Sequence, residues 1–243
     1  MIKRKPSILV EDNKFCPGCG HGTINRLVAE VLEEMGLENK AIGSVAVGCA
    51  CLMIDTFGVD WIQAQHGRAA AVATGIKRVR PEHPVFTYQG DGDSLAIGFS
   101  ETMYAAIRNE NITVILVNNG VFGMTGGQMS PTTLSGQRTA TSPKGRDTSI
   151  TGHPVNVVNF LQTLDVGYVA RGTITDIKEI NKTKKYIRNA FEAQMNNEGY
   201  SFVEVVSPCP TNWGMDPLTS LEHIKNDVLE VYPLGEYVKR GEK

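Results

Sequence analysis

Two sets of side chains in this sequence have the types and spacing for chemistry. The first is five cysteines, Cys16 and Cys19 in CPGCGHG, Cys49 and Cys51 in VGCAC, and Cys209 in SPCPTNWG. C-x-x-C and C-x-C spacings suit a four-thiolate zinc site, an iron–sulfur cluster or a redox dithiol, and spacing alone does not separate them. The second set is YQGDGDSLAIG, followed later by VNNGVFG. Gly90 and Gly92 let backbone N–H groups approach a phosphate where a helix begins. Asp91 between them would repel that phosphate unless it holds a divalent cation that in turn binds the phosphate oxygens. Such a cation takes about six oxygen ligands, and the side chain of Asn119 and the carbonyl of Val121 can supply two. Taken alone, GDG is a common turn and Asp93 a helix cap. A D-x-D phosphatase of the haloacid dehalogenase type also fits DGDS, but leaves the NN stretch and the cysteines unused.

These residues need elements to position them. TINRLVAEVLEEMG carries Leu27, Val28, Val31, Leu32 and Met35 on one helical face and stops at Gly36. Strands are expected at 41–47, 84–89 and 112–118, alternating with helices at 68–80 and 94–110. A Gly/Thr/Ser/Pro-rich segment, 119–153, is long enough to be functional. A helix (VNVVNFLQTL), a strand (VGYVARG), a charged helix (174–197), a strand (SFVEVV) and a polar tail follow. This alternation predicts an α/β fold, a doubly wound and mainly parallel sheet with helices on both faces. One domain is expected over 1–243. Ligands bind outside the carboxyl ends of such strands, so the loops GCAC, GDGDS and NGVFGMTGGQ should share one edge.

Composition narrows the field. Net charge is −2 and the pI about 6.2, which points away from nucleic acid and anionic membranes as partners. Lys14 and Arg26 are nearly the only basic residues near the first cysteine pair, so a zinc-ribbon nucleic-acid module is a weak reading. No apolar run approaches the roughly 18 residues of a membrane span. The basic start has too short an apolar part for a signal peptide. A cytoplasmic, reducing location is expected, which disfavours disulfides, as does the odd cysteine count.

GDG followed by NN resembles the diphosphate-binding signature of thiamine diphosphate enzymes. That likeness implies Mg²⁺ on Asp91, Asn119 and the Val121 carbonyl. CPGCGHG, VGCAC, HGRAAAVATGIKRV, YQGDGD, NNGVFGMTGGQMSPTT and SPCPTNWG, in this order, resemble the β subunit of the 2-oxoacid:ferredoxin oxidoreductases. The subgroup is the one with separate short subunits, acting on 2-oxoglutarate or branched-chain 2-oxoacids. The likeness runs from about residue 10 to about residue 235.

The resemblance implies a [4Fe–4S] cluster on Cys16, Cys19, Cys49 and Cys209, to which segments 10–22 and 207–243 contribute. Cys51 departs from the family pattern and is expected to be a packed thiol. Val47, Gly48, Cys49, Ala50, His66, Gly90, Asp91, Gly92, Asp93, Asn119, Val121, Gly123, Met124 and Thr125 would bind the thiamine cofactor. The implied activity is coenzyme A-dependent oxidative decarboxylation, with electrons passed to ferredoxin. 2-Oxoglutarate is the first choice of substrate, and 2-oxoisovalerate or pyruvate are alternatives. A non-oxidative thiamine-dependent decarboxylase subunit with structural zinc is the rival. The glutamate that activates the aminopyrimidine ring is expected on a partner α subunit, alongside γ and ferredoxin-like δ subunits, and the chain alone is expected to be inactive.

Other residues carry two readings each. His66 either touches diphosphate or substrate as the one catalytic candidate, or caps and packs. Arg68 either grips a substrate carboxylate or forms a salt bridge. His21 reads as structural, and Trp213 as packing beside Cys209. Gly123, Met124 and Thr125 should wrap the diphosphate and thiazolium. Lys144 and Arg146 either serve a second substrate carboxylate or are solvated.

Overall fold

In the computed structural model, which describes residues 4–240, the chain begins with α1 (Gly20–Glu34), β1 (Ile42–Val45) and β2 (Asp60–Gln63). α2 (Ala69–Val79), β3 (Val85–Gly90), α3 (Phe99–Ile107) and β4 (Thr113–Asn118) continue the alternation. A hairpin of β5 (Val121–Phe122) and β6 (Gln128–Met129) opens the long segment, which ends in α4 (Thr148–Thr151). Next come α5 (Val157–Leu161), β7 (Tyr168–Thr173), α6 (Ile177–Met195) and β8 (Ser201–Val206). α7 (Pro210–Trp213), α8 (Pro217–His223), α9 (Leu229–Val231) and β9 (Gly235–Lys239) follow.

Seven strands form one sheet in the order β2-β1-β3-β4-β8-β7-β9. Every neighbouring pair is parallel except β7 with β9. The inner strands β4, β8 and β7 are buried at every position, as expected of parallel strands covered on both faces. Alternate residues face opposite ways. Ile115 and Val117 of β4 join Phe86 and Val203 in a core under α1 and α6. Val114 and Leu116 join Val85 and Phe202 under α2, α3 and α5. This is the doubly wound sheet the sequence pattern predicts. Its parallel order brings the carboxyl ends of β1, β3, β4 and β8 to one edge.

Three departures bear on the site. The helix expected over 94–110 starts as a wide π-turn, Asp93–Ile97, and becomes α-helical only at Phe99. The break falls at Gly98, where a Cβ would lie 2.3 Å from the carbonyl of Gly67; two loops touch there backbone to backbone. The 119–153 segment is ordered by internal hydrogen bonds rather than by long elements. The expected polar tail folds instead: Ile224, Val228 and Tyr232 are buried with Val206, and β9 pairs antiparallel with β7. Among the described residues no helix is long and apolar enough to cross a membrane.

Candidate functional site

A cleft at the shared edge is lined by Val47, Gly48, Cys49 and Ala50 after β1, and by Gly90, Asp91, Gly92 and Asp93 after β3. Asn119, Val121, Gly123, Met124 and Thr125 after β4, with His66, complete it. Every residue expected to bind the cofactor thus meets at one place. His21 and Phe122 line it too. The Phe122 ring lies over Gly92, where a Cβ would come within 2.6 Å of it; the second glycine of GDG is required by that contact. A Cβ on Gly90 would meet nothing within 4 Å, so the backbone here is open to the cleft.

Asp91 is 1% exposed. Its Oδ2 accepts hydrogen bonds from the Gly120 N–H (3.0 Å), the Ser130 hydroxyl (2.7 Å) and the Thr132 hydroxyl. Burial raises its pKa to about 6, against the pull of those donors. A buried, oriented carboxylate suits a cation that also carries phosphate. Asn119 is 6% exposed, and its Oδ1 accepts from the Val121 N–H at 3.2 Å. Its carbonyl accepts from the Trp213 indole at 3.1 Å.

Asp93 is not a helix cap. Its Oδ1 accepts from the Gly67 N–H at 2.7 Å and pairs with His66 Nδ1, and its Oδ2 accepts from Gln89 Nε2 at 2.7 Å. A carboxylate facing Nδ1 accepts a hydrogen bond from that nitrogen, which leaves Nε2 for a ligand. His66 therefore enters the cleft as an oriented imidazole, edge-on to Phe122 at 6.1 Å between centroids.

A second cavity adjoins the first, and Cys16, Cys19, Cys49 and Cys209 all line it. It shares His21, Cys49, Asn119, Gly123 and Met124 with the cleft. Gly123 stands between the sulfurs: a Cβ there would lie 3.3 Å from Cys49 Sγ and 3.8 Å from Cys209 Sγ. Cys19 is the residue before α1, and the His21 N–H bonds its sulfur. Burial raises the Cys19 thiol to about 12 and the Cys49 thiol to about 11, with the neighbouring sulfurs adding to both. Burial raises Cys209 as well. A metal centre here would have to displace those protons. Cys51 is absent from the cavity lining and packs against the core under α1. Among the described residues, no three His, Cys, Asp or Glu side chains converge on a point that would hold a single ion. Thiolates of this kind suit either a zinc ion or an iron–sulfur cluster.

A model of the "Thiamine pyrophosphate enzyme, C-terminal TPP binding domain" matches residues 43–205. 2-Oxoglutarate synthase subunit KorB of Archaeoglobus fulgidus is 34% identical over 213 residues, covering 88% of this chain and 76% of that protein. The chain belongs to the thiamine pyrophosphate-binding β subunits of the 2-oxoacid:ferredoxin oxidoreductases. Ketoisovalerate oxidoreductase subunit VorA of Methanothermobacter thermautotrophicus is 39% identical over 242 residues, 99% of this chain. The chain spans about half the length of that relative, 51%. A solved 2-oxoglutarate:ferredoxin oxidoreductase from Magnetococcus marinus superposes with a TM-score of 0.81 at 27% identity, over 100% of this chain and 87% of that one. The matched thiamine domain holds Cys49 but not Cys16, Cys19 or Cys209, so the cysteine cavity of this β subunit is completed by flanking segments.

Other singled-out residues of this β subunit have definite places. Arg68 pairs with Glu101 at 2.8 Å. Arg146 is buried and, among the described residues, donates only to backbone carbonyls, so it is neither solvated nor free for a substrate carboxylate. Lys144 is exposed. His21 is 2% exposed with Nδ1 2.8 Å from the Tyr88 hydroxyl, and burial lowers its pKa to about 4. Met124 is 45% exposed, on the cleft rather than in the core. Sequence reasoning missed Ser130 and Thr132, whose hydroxyls hold Asp91. It also missed Asn212, whose Nδ2 donates to the Gly123 carbonyl at 3.0 Å and lies 3.3 Å from Cys209 Sγ.

Proposed function

We propose that this chain carries thiamine diphosphate, Mg²⁺ and a [4Fe–4S] cluster in a coenzyme A-dependent 2-oxoacid:ferredoxin oxidoreductase. One observation carries the reading: the four-cysteine cavity and the GDG–NN cleft share a wall made of Cys49, Gly123 and Met124. A centre there lies beside the cofactor it would oxidise, an arrangement of no use to a non-oxidative decarboxylase.

Thiamine diphosphate, when bound, supplies the carbanion chemistry of decarboxylation. The chain's own residues then have these roles. Asp91, Asn119 and the Val121 carbonyl hold the cation, and the backbone at Gly90 and Gly92 lets phosphate oxygens approach the start of the π-turn. His66, its Nδ1 held by Asp93, presents Nε2 to cofactor or substrate as a hydrogen-bonding or proton-carrying group. Cys16, Cys19, Cys49 and Cys209 hold the cluster. In the overall reaction a 2-oxoacid anion and coenzyme A thiol give an acyl thioester, CO₂, one proton and two electrons. The electrons leave one at a time to oxidised ferredoxin.

The cleft is open to solvent on one side, with about 490 Å³ of empty space that includes that opening. This supports a second wall from a partner α subunit carrying the aminopyrimidine side and its glutamate. γ and ferredoxin-like δ subunits complete the proposed assembly, placed in the cytoplasm.

The substrate side chain is proposed to be apolar and branched, as in 2-oxoisovalerate, where the sequence put 2-oxoglutarate first. No lysine or arginine lines the cleft among the described residues, while Val47, Ala50, Phe122 and Met124 do. Of the cations expected for a second carboxylate, Arg146 is engaged and Lys144 is exposed; Arg68, the candidate for a substrate carboxylate, pairs with Glu101. The similarity to a ketoisovalerate oxidoreductase subunit agrees. The test is anaerobic co-purification with the partner subunits, followed by coenzyme A-dependent viologen reduction on 2-oxoisovalerate, 2-oxoglutarate and pyruvate. The highest kcat/KM is expected on 2-oxoisovalerate. A preference for 2-oxoglutarate overturns the substrate assignment, and no reduction with any 2-oxoacid overturns the function.

A further inference from the structure

Arg146 is 5% exposed, and every partner found for its guanidinium is a backbone carbonyl. Nη1 donates to Pro131 (2.9 Å), Thr133 (2.7 Å) and Ser130 (3.4 Å). Nε donates to Gly152 at 3.1 Å, and Nη2 to His153 at 3.0 Å and Thr151 at 3.4 Å. Among the described residues no carboxylate pairs with it. A buried cation without a counter-charge is costly, and here it is offset by enough carbonyls to occupy all five N–H donors. Its carbonyl partners form two groups, 130–133 and 151–153, so the guanidinium draws together two ends of the long segment.

The 130–133 turn is also the turn that grips Asp91. The Ser130 hydroxyl lies 2.7 Å from Asp91 Oδ2 and the Thr132 hydroxyl bonds the same oxygen. Thr133 closes the turn by accepting from the Ser130 N–H at 2.9 Å, and its hydroxyl donates to the Gly120 carbonyl at 2.6 Å. Gly120 in turn gives its N–H to Asp91. The Tyr232 hydroxyl holds the Thr132 carbonyl from the other side at 2.9 Å.

We infer that Arg146 is a positioning residue for the metal–diphosphate site: it fixes the carbonyls of the 130–133 turn so that the Ser130 and Thr132 hydroxyls orient Asp91. This rests on the proposed Mg²⁺–diphosphate role of Asp91. The guanidinium touches neither cofactor nor substrate, and lysine, with three donors and no planar fork, cannot span both carbonyl groups.

The test uses the anaerobically prepared complex with its partner subunits. Calorimetry gives the dissociation constant of thiamine diphosphate at saturating Mg²⁺ for wild type, R146M, R146K, T132V and R146M/T132V, with iron and sulfide measured in parallel. Supporting residues around a metal site alter affinity by roughly 10–100-fold. R146M and T132V are each expected to weaken binding within that range, with iron and sulfide retained. If Arg146 acts through the hydroxyls, the double variant is no weaker than the weaker single one, because coupled sites are not additive. R146K, which keeps the charge, is expected to fall between wild type and R146M, and it decides the matter if R146M does not assemble. Wild-type affinity in R146K and R146M, multiplying effects in the double variant, or loss of iron in step with loss of cofactor affinity each overturns the positioning role. A wild-type complex that binds no thiamine diphosphate with Mg²⁺ overturns the proposed function as well, which separates the two failures.

Discussion

The indole Nε1–H of Trp213 donates to the carbonyl of Asn119 at 3.1 Å, tying the helix after β8 to the NN turn after β4. Asn212 beside it reaches Gly123 and Cys209. One short helix, α7, therefore braces both the proposed cation ligand and the shared wall. Trp213→Phe keeps an aromatic but smaller ring and removes the donor, which costs about 1–3 kcal/mol for a buried acceptor left unpaired. The expected result is thiamine diphosphate affinity lowered several-fold with iron content unchanged, read by calorimetry and iron analysis.

Asp91 gives a pH dependence with a definite sign. Its pKa in the fold is about 6, raised by burial from the ordinary carboxylate value, so between about pH 4 and pH 6 the folded chain binds more protons than the unfolded one. Its contribution to the cation-free protein is most favourable below that window and is lost as pH rises through about 6. Asp91→Asn should therefore stabilise the cation-free protein at pH 7, by on the order of 1–3 kcal/mol. The same variant should lose Mg²⁺-dependent cofactor binding. Mg²⁺ affinity of the wild type should rise with pH up to about 6 and then level off. Thermal melts with and without Mg²⁺ across that range check both.

Cys49 and Cys51 are separated by one residue but face different surroundings. Cys49 lines the four-cysteine cavity while Cys51 packs on the core under α1. Cys51→Ala should retain iron and sulfide at the wild-type ratio, and Cys49→Ala should lose most of both. Equal losses in the two variants would contradict the ligand assignment.

Arg171 and Glu204 form a fully buried ion pair at 2.7 Å. Glu204 also accepts from Asn118, the first asparagine of the NN pair, at 2.7 Å. Arg171 donates to Asn156 at 2.7 Å and stacks on Tyr232 and Tyr237 of the chain's end. Arg171→Met leaves a buried carboxylate unpaired and should cost about 3–5 kcal/mol. Arg171→Met with Glu204→Gln removes that charge while keeping an acceptor for Asn118, and should recover most of the loss. Denaturant unfolding measures both.

What was legible in the sequence followed from fixed geometry. One helix between two parallel strands sets the distance from GDG to NN, so Asp91 and Asn119 could be brought together on paper. Long apolar runs such as TVILVN declare buried parallel strands. β2 was not legible, because DWIQ is mostly exposed at the sheet's edge and shows no apolar alternation. Ser130 and Thr132 were not, because in a segment full of hydroxyls nothing local marks the two that meet an aspartate forty positions back. Arg146 misled for the opposite reason: arginines are rarely buried without an acid, and its partners are backbone carbonyls, which carry no sequence signature. The end of the chain did carry signals. Asp216 caps α8 with Pro217 at its first position, and Ile224, Val228 and Tyr232 recur at helical spacing. The polar residues between them mask that stripe.

The central claim is that a cation held by Asp91 and a cluster held by the four cysteines act as one redox unit. It is tested most directly by following the visible absorbance of the anaerobic complex on mixing with 2-oxoisovalerate and coenzyme A, with no external acceptor. The wild type should bleach as the cluster is reduced. The Asp91→Asn complex should fail to bleach with the 2-oxoacid yet bleach fully with dithionite. Undiminished 2-oxoacid bleaching in Asp91→Asn, or a colourless wild-type complex that contains zinc instead of iron, would contradict the account.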